Sequence, residues 1–317
     1  MDSLYSKANS VLSPASPYAH NIAHLFWVTF WISVVVLVFV SAFVIFNIVR
    51  YRDRNQGGLP PQIHGNTAVE VTWTVVPFVI LAVLFIMTVQ SMEAVSPPKH
   101  PKTPPIQVDV IAHQWWWEFR YPDNKVVTAN ELHIPTGQSI ELTLTSDDVI
   151  HDFWVPELGR KMDAVPAHPN KLVIQADRPG VYLGTCAEYC GAEHAWMRIR
   201  VYAQKPSDYQ TWLAGQAQPH SAPTKIQQIV GMGFFTSACS SCHNITGSGT
   251  PGAQDVGPDL THLADRETLA AGVLPNTPKD LRKWLEDPQA IKPGVHMPNL
   301  HLTSQQLDGL VAYLEEK

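Results

Sequence analysis

Two long stretches of this 317-residue chain carry no charged side chain: Leu25 to Val49 and Val71 to Met92. Each is long enough to cross a hydrocarbon layer of about 30 Å as a helix. Inside such a layer the backbone has no water to bond with, so a spanning segment must satisfy its own N–H and C=O groups. Pro77 lies inside the second run, a position that membrane helices tolerate. A pair of buried core helices is the alternative, but soluble cores rarely hold uncharged runs of this length. Arg50, Arg52 and Arg54 lie between the runs, opposed only by Asp53 and Glu70. The positive-inside rule puts that loop in the cytoplasm and both chain ends on the other side. Residues 1–96 thus read as an N-terminal segment and a transmembrane hairpin, with helices at about 25–49 and 71–92. Residues 1–24 do not read as a signal peptide, since a basic start and a small-residue cleavage site of the usual kind are lacking. Glu70, at the cytoplasmic mouth of the second helix, suits a helix start through the helix dipole.

The remainder has a different texture. Pro97, Pro98, Pro101, Pro104 and Pro105 make a stiff exit from the membrane. Short alternating runs follow, among them Gln107–Ile111, Ile140–Thr145, Leu172–Gln175 and Met197–Tyr202, separated by turn signals such as Tyr121-Pro-Asp-Asn124 and Arg178-Pro-Gly180. Residues 105–203 therefore read as an all-β sandwich or barrel. Near its end lies Cys186-Ala-Glu-Tyr-Cys190-Gly-Ala-Glu-His194-Ala-Trp-Met197. Sulfur donors beside imidazole suit copper better than calcium or magnesium. One Cys, two His and a Met would make a single-copper site; the second Cys lets two sulfurs bridge two ions. A structural zinc site or a disulfide is the competing reading of two Cys at this spacing. His151, in Asp148-Val-Ile-His151-Asp-Phe-Trp154, supplies a second imidazole and is expected on a loop beside the Cys run. The adjacent Trp115, Trp116 and Trp117 cannot all face one core, because neighbours on a strand alternate sides.

Composition changes again after Gln204. Ser207 to Gln216 reads as a short helix capped by Ser207, and residues 204–224 as helix plus linker. Cys239-Ser-Ser-Cys242-His243 follows, the attachment pattern of c-type haem: two thioethers to the porphyrin and His243 on the iron. Met297, before Pro298, is the candidate for the opposite axial position, with His262, His296 and His301 as alternatives. Helices at Lys279–Glu286 and Ser304–Glu316 would complete an all-α domain over 225–317. The four Cys are consumed by two motifs, which leaves no pair for a structural disulfide. Hydrophobic residues make up 45% of the chain against 16% charged, and the net charge of −6 argues against a nucleic-acid partner.

The Cys186–Met197 and Asp148–Pro156 runs, with Lys161-Met-Asp-Ala-Val-Pro166, closely resemble subunit II of the haem–copper cytochrome oxidases. The likeness covers about residues 20–215, and a cytochrome c likeness covers about 225–317, including Gly257-Pro-Asp-Leu260. The fusion resembles the caa3-type oxidases of bacteria. The fold so implied is a two-helix transmembrane hairpin, a cupredoxin domain and a class I cytochrome c domain. The resemblance implies a dinuclear copper centre held by His151, Cys186, the Glu188 carbonyl, Cys190, His194 and Met197. It makes the Glu188 side chain a magnesium ligand shared with subunit I, Trp115 the point where electrons reach copper, and Glu70 the mouth of a proton channel. Glu193 departs from the family pattern, in which that position is often uncharged. The implied function is that of a respiratory-chain translocase subunit: electrons pass from cytochrome c or another donor through haem c and copper to subunit I, which reduces oxygen. Subunit III and the lipid bilayer of the bacterial plasma membrane are further implied partners, with both redox domains on the periplasmic side. The oxygen-reducing site belongs to another chain, since the two spans offer no set of His residues for it. A free-standing, membrane-anchored electron carrier serving another reductase is the alternative, and a copper-assembly protein with an appended cytochrome is a third reading.

Overall fold

A computed structural model of the chain describes residues 10–52, 62, 64–97, 104–246 and 256–316. Asp53, Arg54, Pro98 and Pro101 lie outside these residues. The chain divides into two units, one over His20–Ser96 and the other over Met1–Ala19 with Pro97–Lys317.

Two helices, α1 (Pro17–Arg50) and α2 (Thr67–Ala94), contain the uncharged runs and extend beyond both. Both are long and apolar enough to cross a membrane. Their large side chains, including Leu37, Phe39, Phe78, Leu81 and Phe85, point outward. That surface is unfavourable in water and natural in lipid. Several hydroxyls on these helices bond to their own backbone, as Thr29 does to Leu25 O (2.9 Å) and Ser33 to Thr29 O (2.8 Å), which satisfies them within the layer. Asn66 caps α2, its side chain accepting from Ala68 N and Val69 N, and Glu70 lies exposed in the first turn.

The second unit contains a two-sheet sandwich. Its strands are β1 (Ile106–His113), β2 (Trp116–Tyr121), β3 (Val126–Ala129), β4 (Glu131–Pro135), β5 (Ile140–Ser146), β6 (His151–Trp154), β7 (Met162–Ala164), β8 (Asn170–Ile174), β9 (Gly180–Cys186) and β10 (Arg198–Gln204). They form sheets in the order β3-β2-β1-β5-β8 and β4-β10-β9-β6-β7. Alternation in β5 is strict: Ile140, Leu142 and Leu144 are buried, while Glu141, Thr143 and Thr145 face away. Val110, Trp117, Phe119, Leu132, Phe153, Ile199 and Val201 fill the space between the sheets. Each such side chain contributes about 1.5–3 kcal/mol by leaving water.

Helix α3 (Pro206–Gln216) follows. Ser207 is not its cap: Lys205 occupies that place, Pro206 opens the helix, and the Ser207 hydroxyl turns to Asp208 (3.0 Å). Proline suits the first helical position because its missing N–H would have no partner there. The C-terminal part has α4 (Ile226–Phe234), a π turn over Phe235–Cys239, a two-residue ladder of β11 (Thr268–Leu269) with β12 (Leu274–Pro275), then α5 (Pro278–Glu286), α6 (Pro288–Ile291) and α7 (Ser304–Leu314). Among the described residues, this small ladder departs from an all-α reading. Helices α4 and α7 cross at two glycines, where a Cβ built on Gly231 would lie 2.0 Å from Gly309 O. Only backbone fits at that crossing.

Candidate metal centre

Strands β9 and β10 are antiparallel neighbours, with Thr185 opposite Arg198. The loop between them therefore leaves and rejoins the sheet at one point, and its donor atoms are brought together. Cys186 ends β9, and the loop carries Cys190, a short 3-10 turn over His194–Trp196, and Met197. His151 opens β6, which pairs with β9 through Phe153 and Cys186. It therefore stands on a strand and not on the expected loop, and the sheet ladder holds it more firmly than a loop would.

The donors converge. Cys186 Sγ lies 3.8 Å from Cys190 Sγ, 3.9 Å from His151 Nδ1 and 3.2 Å from the Glu188 carbonyl oxygen. Cys190 Sγ lies 3.6 Å from His194 Nδ1 and 3.8 Å from Met197 Sδ. His151, Cys186 and Cys190 offer ligand atoms within 4.8 Å of one another. Both thiols are free, so the disulfide reading fails. Each imidazole serves a different sulfur. The hydrogen bond with Cys190, and then His151, holds the Cys186 thiol far below the usual thiol range. Cys186 in turn pushes Cys190 far up, because a second negative charge beside the first is resisted. Two thiols this close resist losing both protons, and a cation bound between them would remove that resistance.

A second layer of groups sets these donors. Asp148 Oδ1 faces His151 Nε2 at 2.8 Å, which fixes the ring with Nδ1 toward the sulfur. Burial opposes a charge on His151, yet its bond to Asp148 and contact with Cys186 raise its pKa overall. The other Asp148 oxygen accepts from Gln114 N at 2.5 Å. Gln114 Nε2 and Trp115 Nε1 both donate to Cys190 O, at 2.7 and 2.9 Å. Gly191 permits this approach: its φ is +118°, and a Cβ there would come within 2.9 Å of the Trp115 ring. Of the three tryptophans, Trp117 is fully buried against Phe153, Trp116 is half-buried and stacked on His113, and Trp115 is 6% exposed beneath His296. The Glu188 side chain is exposed.

Asp148 and Gln114 escaped the sequence reading, whereas Pro258 lies in the Gly257-Pro-Asp-Leu260 run already matched to cytochrome c. The Asp-x-x-His spacing of Asp148 and His151 was the available signal for the first; nothing local pointed to Gln114. Pro258 O lies 2.8 Å from His243 Nδ1, which leaves Nε2 of that half-buried ring free for iron. Cys239 and Cys242 precede it as free, half-buried thiols. Met297 packs against the same apolar cluster as Cys239 and Leu260. His262 is engaged elsewhere, 2.9 Å from Gln218 O, and His301 is exposed.

Family models give the decisive comparison. The transmembrane domain of cytochrome c oxidase subunit II matches residues 7–93, its periplasmic domain matches 125–204, and cytochrome c matches 230–316. Cytochrome c oxidase subunit 2 of Alkalihalophilus pseudofirmus is 35% identical over 88% of this chain and 82% of its own length. The chain belongs to the cytochrome c oxidase subunit II family. The Bacillus subtilis subunit 2 is 32% identical over 96% of this chain and 91% of its own. Among solved structures, the periplasmic domain of subunit II from Bradyrhizobium japonicum is 30% identical, covering 37% of this chain and 95% of that one with a TM-score of 0.35. As a subunit II, this chain is part of a haem–copper terminal oxidase, an oxidoreductase complex, and acts where electrons enter it. The free-standing carrier is not favoured. Its cupredoxin part carries copper, its cytochrome part carries haem c, and its apolar helices anchor a periplasmic domain.

The residues present fit these groups. Two sulfurs, two imidazoles and a thioether face one spot, a soft donor set that suits copper. The Asp148 carboxylate is turned to the far nitrogen of His151. Two thiols and a histidine with one free nitrogen, backed by an apolar cluster, suit covalently attached haem.

Proposed function

We propose that His151, Cys186, Cys190, His194, Met197 and the Glu188 carbonyl hold two copper ions, with the two thiolates shared between them. The carrying observation is the pairing of each imidazole with a different sulfur, His151 with Cys186 and His194 with Cys190. The His194 nitrogen falls outside the 4.8 Å group formed by the other three donors, which suits an elongated two-ion site better than one tetrahedral ion. Cys239 and Cys242 attach haem, and His243 with Met297 ligate its iron. When bound, copper and haem supply one-electron carriers; the chain's own work is to fix their ligands on a stiff sheet so that geometry changes little between redox states.

The exposed Glu188 carboxylate is assigned to a magnesium ion shared with subunit I. Glu70, exposed at the start of α2, is assigned to the mouth of a proton channel in that subunit. Subunits I and III are the neighbours in the complex, and a respiratory cytochrome c is the donor class. The domain limits proposed are 1–96, 105–203, 204–224 and 225–317. The chain sits in a bacterial plasma membrane with both ends and both redox domains on the periplasmic side.

Electron paramagnetic resonance with metal analysis on the purified complex tests the ligand assignment. Two coppers sharing one unpaired electron, and one haem c, are expected per chain. Zinc, or one isolated Cu(II), would overturn it.

A further inference from the structure

Trp115 is buried because the C-terminal part of the chain covers it. The His296 ring lies 4.9 Å from the Trp115 ring, centroid to centroid. Lys292, only 2% exposed, reaches from the end of α6 and donates to Trp115 O at 2.9 Å. A lysine is seldom so deeply buried unless it is paired. Its compensation here is the Trp115 carbonyl and a charge nearby: Glu193 is also buried, and its Oε2 has no hydrogen-bond partner. The negative charge of Glu193 opposes the effect of burial, which brings Lys292 down to about 8. Cys190 acts in the same direction as Glu193, and Arg198 acts against both. The departure at Glu193 therefore has a counterpart on the far side of the contact.

The arm between Lys292 and Met297 is stiff. Gln289 Nε2 donates to Val295 O (2.6 Å) and Met297 O (2.9 Å), while its oxygen accepts from Gly294 N (3.0 Å). Lys292 N closes α6 on Pro288 O at 2.9 Å. Whatever fixes Lys292 also fixes the Met297 segment. A separate anchor lies elsewhere on the sandwich: buried Glu131 accepts from Thr268 N (2.9 Å), Thr268 Oγ1 (2.7 Å) and Glu267 N (3.1 Å).

We propose that Lys292 is a positioning residue for electron transfer within this chain: by bonding Trp115 O beside Glu193 it latches the Met297 segment onto the copper loop, keeps His296 on the Trp115 ring, and closes that ring to any outside donor. This rests on the copper and haem assignments above, whose failure would show separately, in the metal spectra.

The test is K292M in the full chain loaded with copper and haem. A hydrogen bond from a charged group is worth about 10- to 100-fold in a docking equilibrium. Amide exchange at 112–116 and 288–299 should accelerate by about that factor, while exchange at 267–269, held by Glu131, stays as in the parent. Copper and haem spectra should not change. Light-triggered transfer from haem to copper should be independent of solvent viscosity in the parent and dependent on it in K292M. Parental exchange and viscosity-independent transfer in K292M would overturn the proposal, and so would faster exchange spread through all the C-terminal helices. Should K292M lose either spectrum, H296A carries the test. Slower transfer with parental exchange supports the contact, and an unchanged rate overturns it.

Discussion

Asp148 is the side chain whose loss should be felt most sharply at the metal centre without removing a ligand. Its two oxygens face His151 Nε2 and Gln114 N, and Oδ1 also accepts from Val149 N at 2.6 Å. One carboxylate thus sets the orientation of a ligand ring and the backbone beside Trp115. D148N keeps the shape but removes the charge, and its amide nitrogen cannot accept from either donor. Partners of this kind are worth about 10- to 100-fold in metal affinity, or about 1.4–2.8 kcal/mol. The upper half of that range is expected, because the bond to His151 involves a buried ring and a charged acceptor. The assay is copper titration of the chain against a competing chelator, with D147N as control. Asp147 is half-exposed and approaches His113, at 3.7 Å, and not His151. D148N within twofold of the parent, or D147N weakened equally, would refute the reasoning.

Three further outcomes follow from the geometry. Burial lowers His133 to about 4, where it stacks between Trp212 and Tyr202; the unfolded chain takes up this proton near pH 6.5 and the folded chain does not, so stability falls as pH drops from 6.5 toward 4. The loss is about 2 kcal/mol at pH 5, and denaturant unfolding of H133Q at pH 5 and 7.5 should show a correspondingly smaller difference than the parent. G191A forces a side chain onto a φ of +118° and into Trp115, and chemical denaturation should show a loss of about 1–3 kcal/mol. M297A should change the haem absorption spectrum, whereas an unchanged spectrum would return the axial position to a histidine.

The helices and the donor set were legible because their signals are local. Uncharged runs of spanning length fix the hairpin, and four of the side chains at the metal centre lie within or beside one loop. His151 was legible only in part: its identity followed from the need for a second imidazole, but its place on β6 depends on pairing with β9, which is remote in sequence. Lys292 was silent. Nothing near it separates it from an ordinary surface lysine, and its burial arises only when the C-terminal helices meet the sandwich. That the three tryptophans do not share one core followed from strand alternation, but the covering of Trp115 by His296 did not. Ser207 misled as a cap because the proline before it already suited a helix start.

The glycine crossing of α4 and α7 has a consequence for the order in which the protein is made. Ile226–Phe234 comes off the ribosome well before Ser304–Leu314, the helix against which it closes. Contacts between segments so distant in the chain cannot form early. Cys239, Cys242 and His243 come directly after the first of these helices, and so remain in an open, unfinished segment until the last helix arrives. The interval between the two helices is a window in which thiols can be modified before the domain shuts around them.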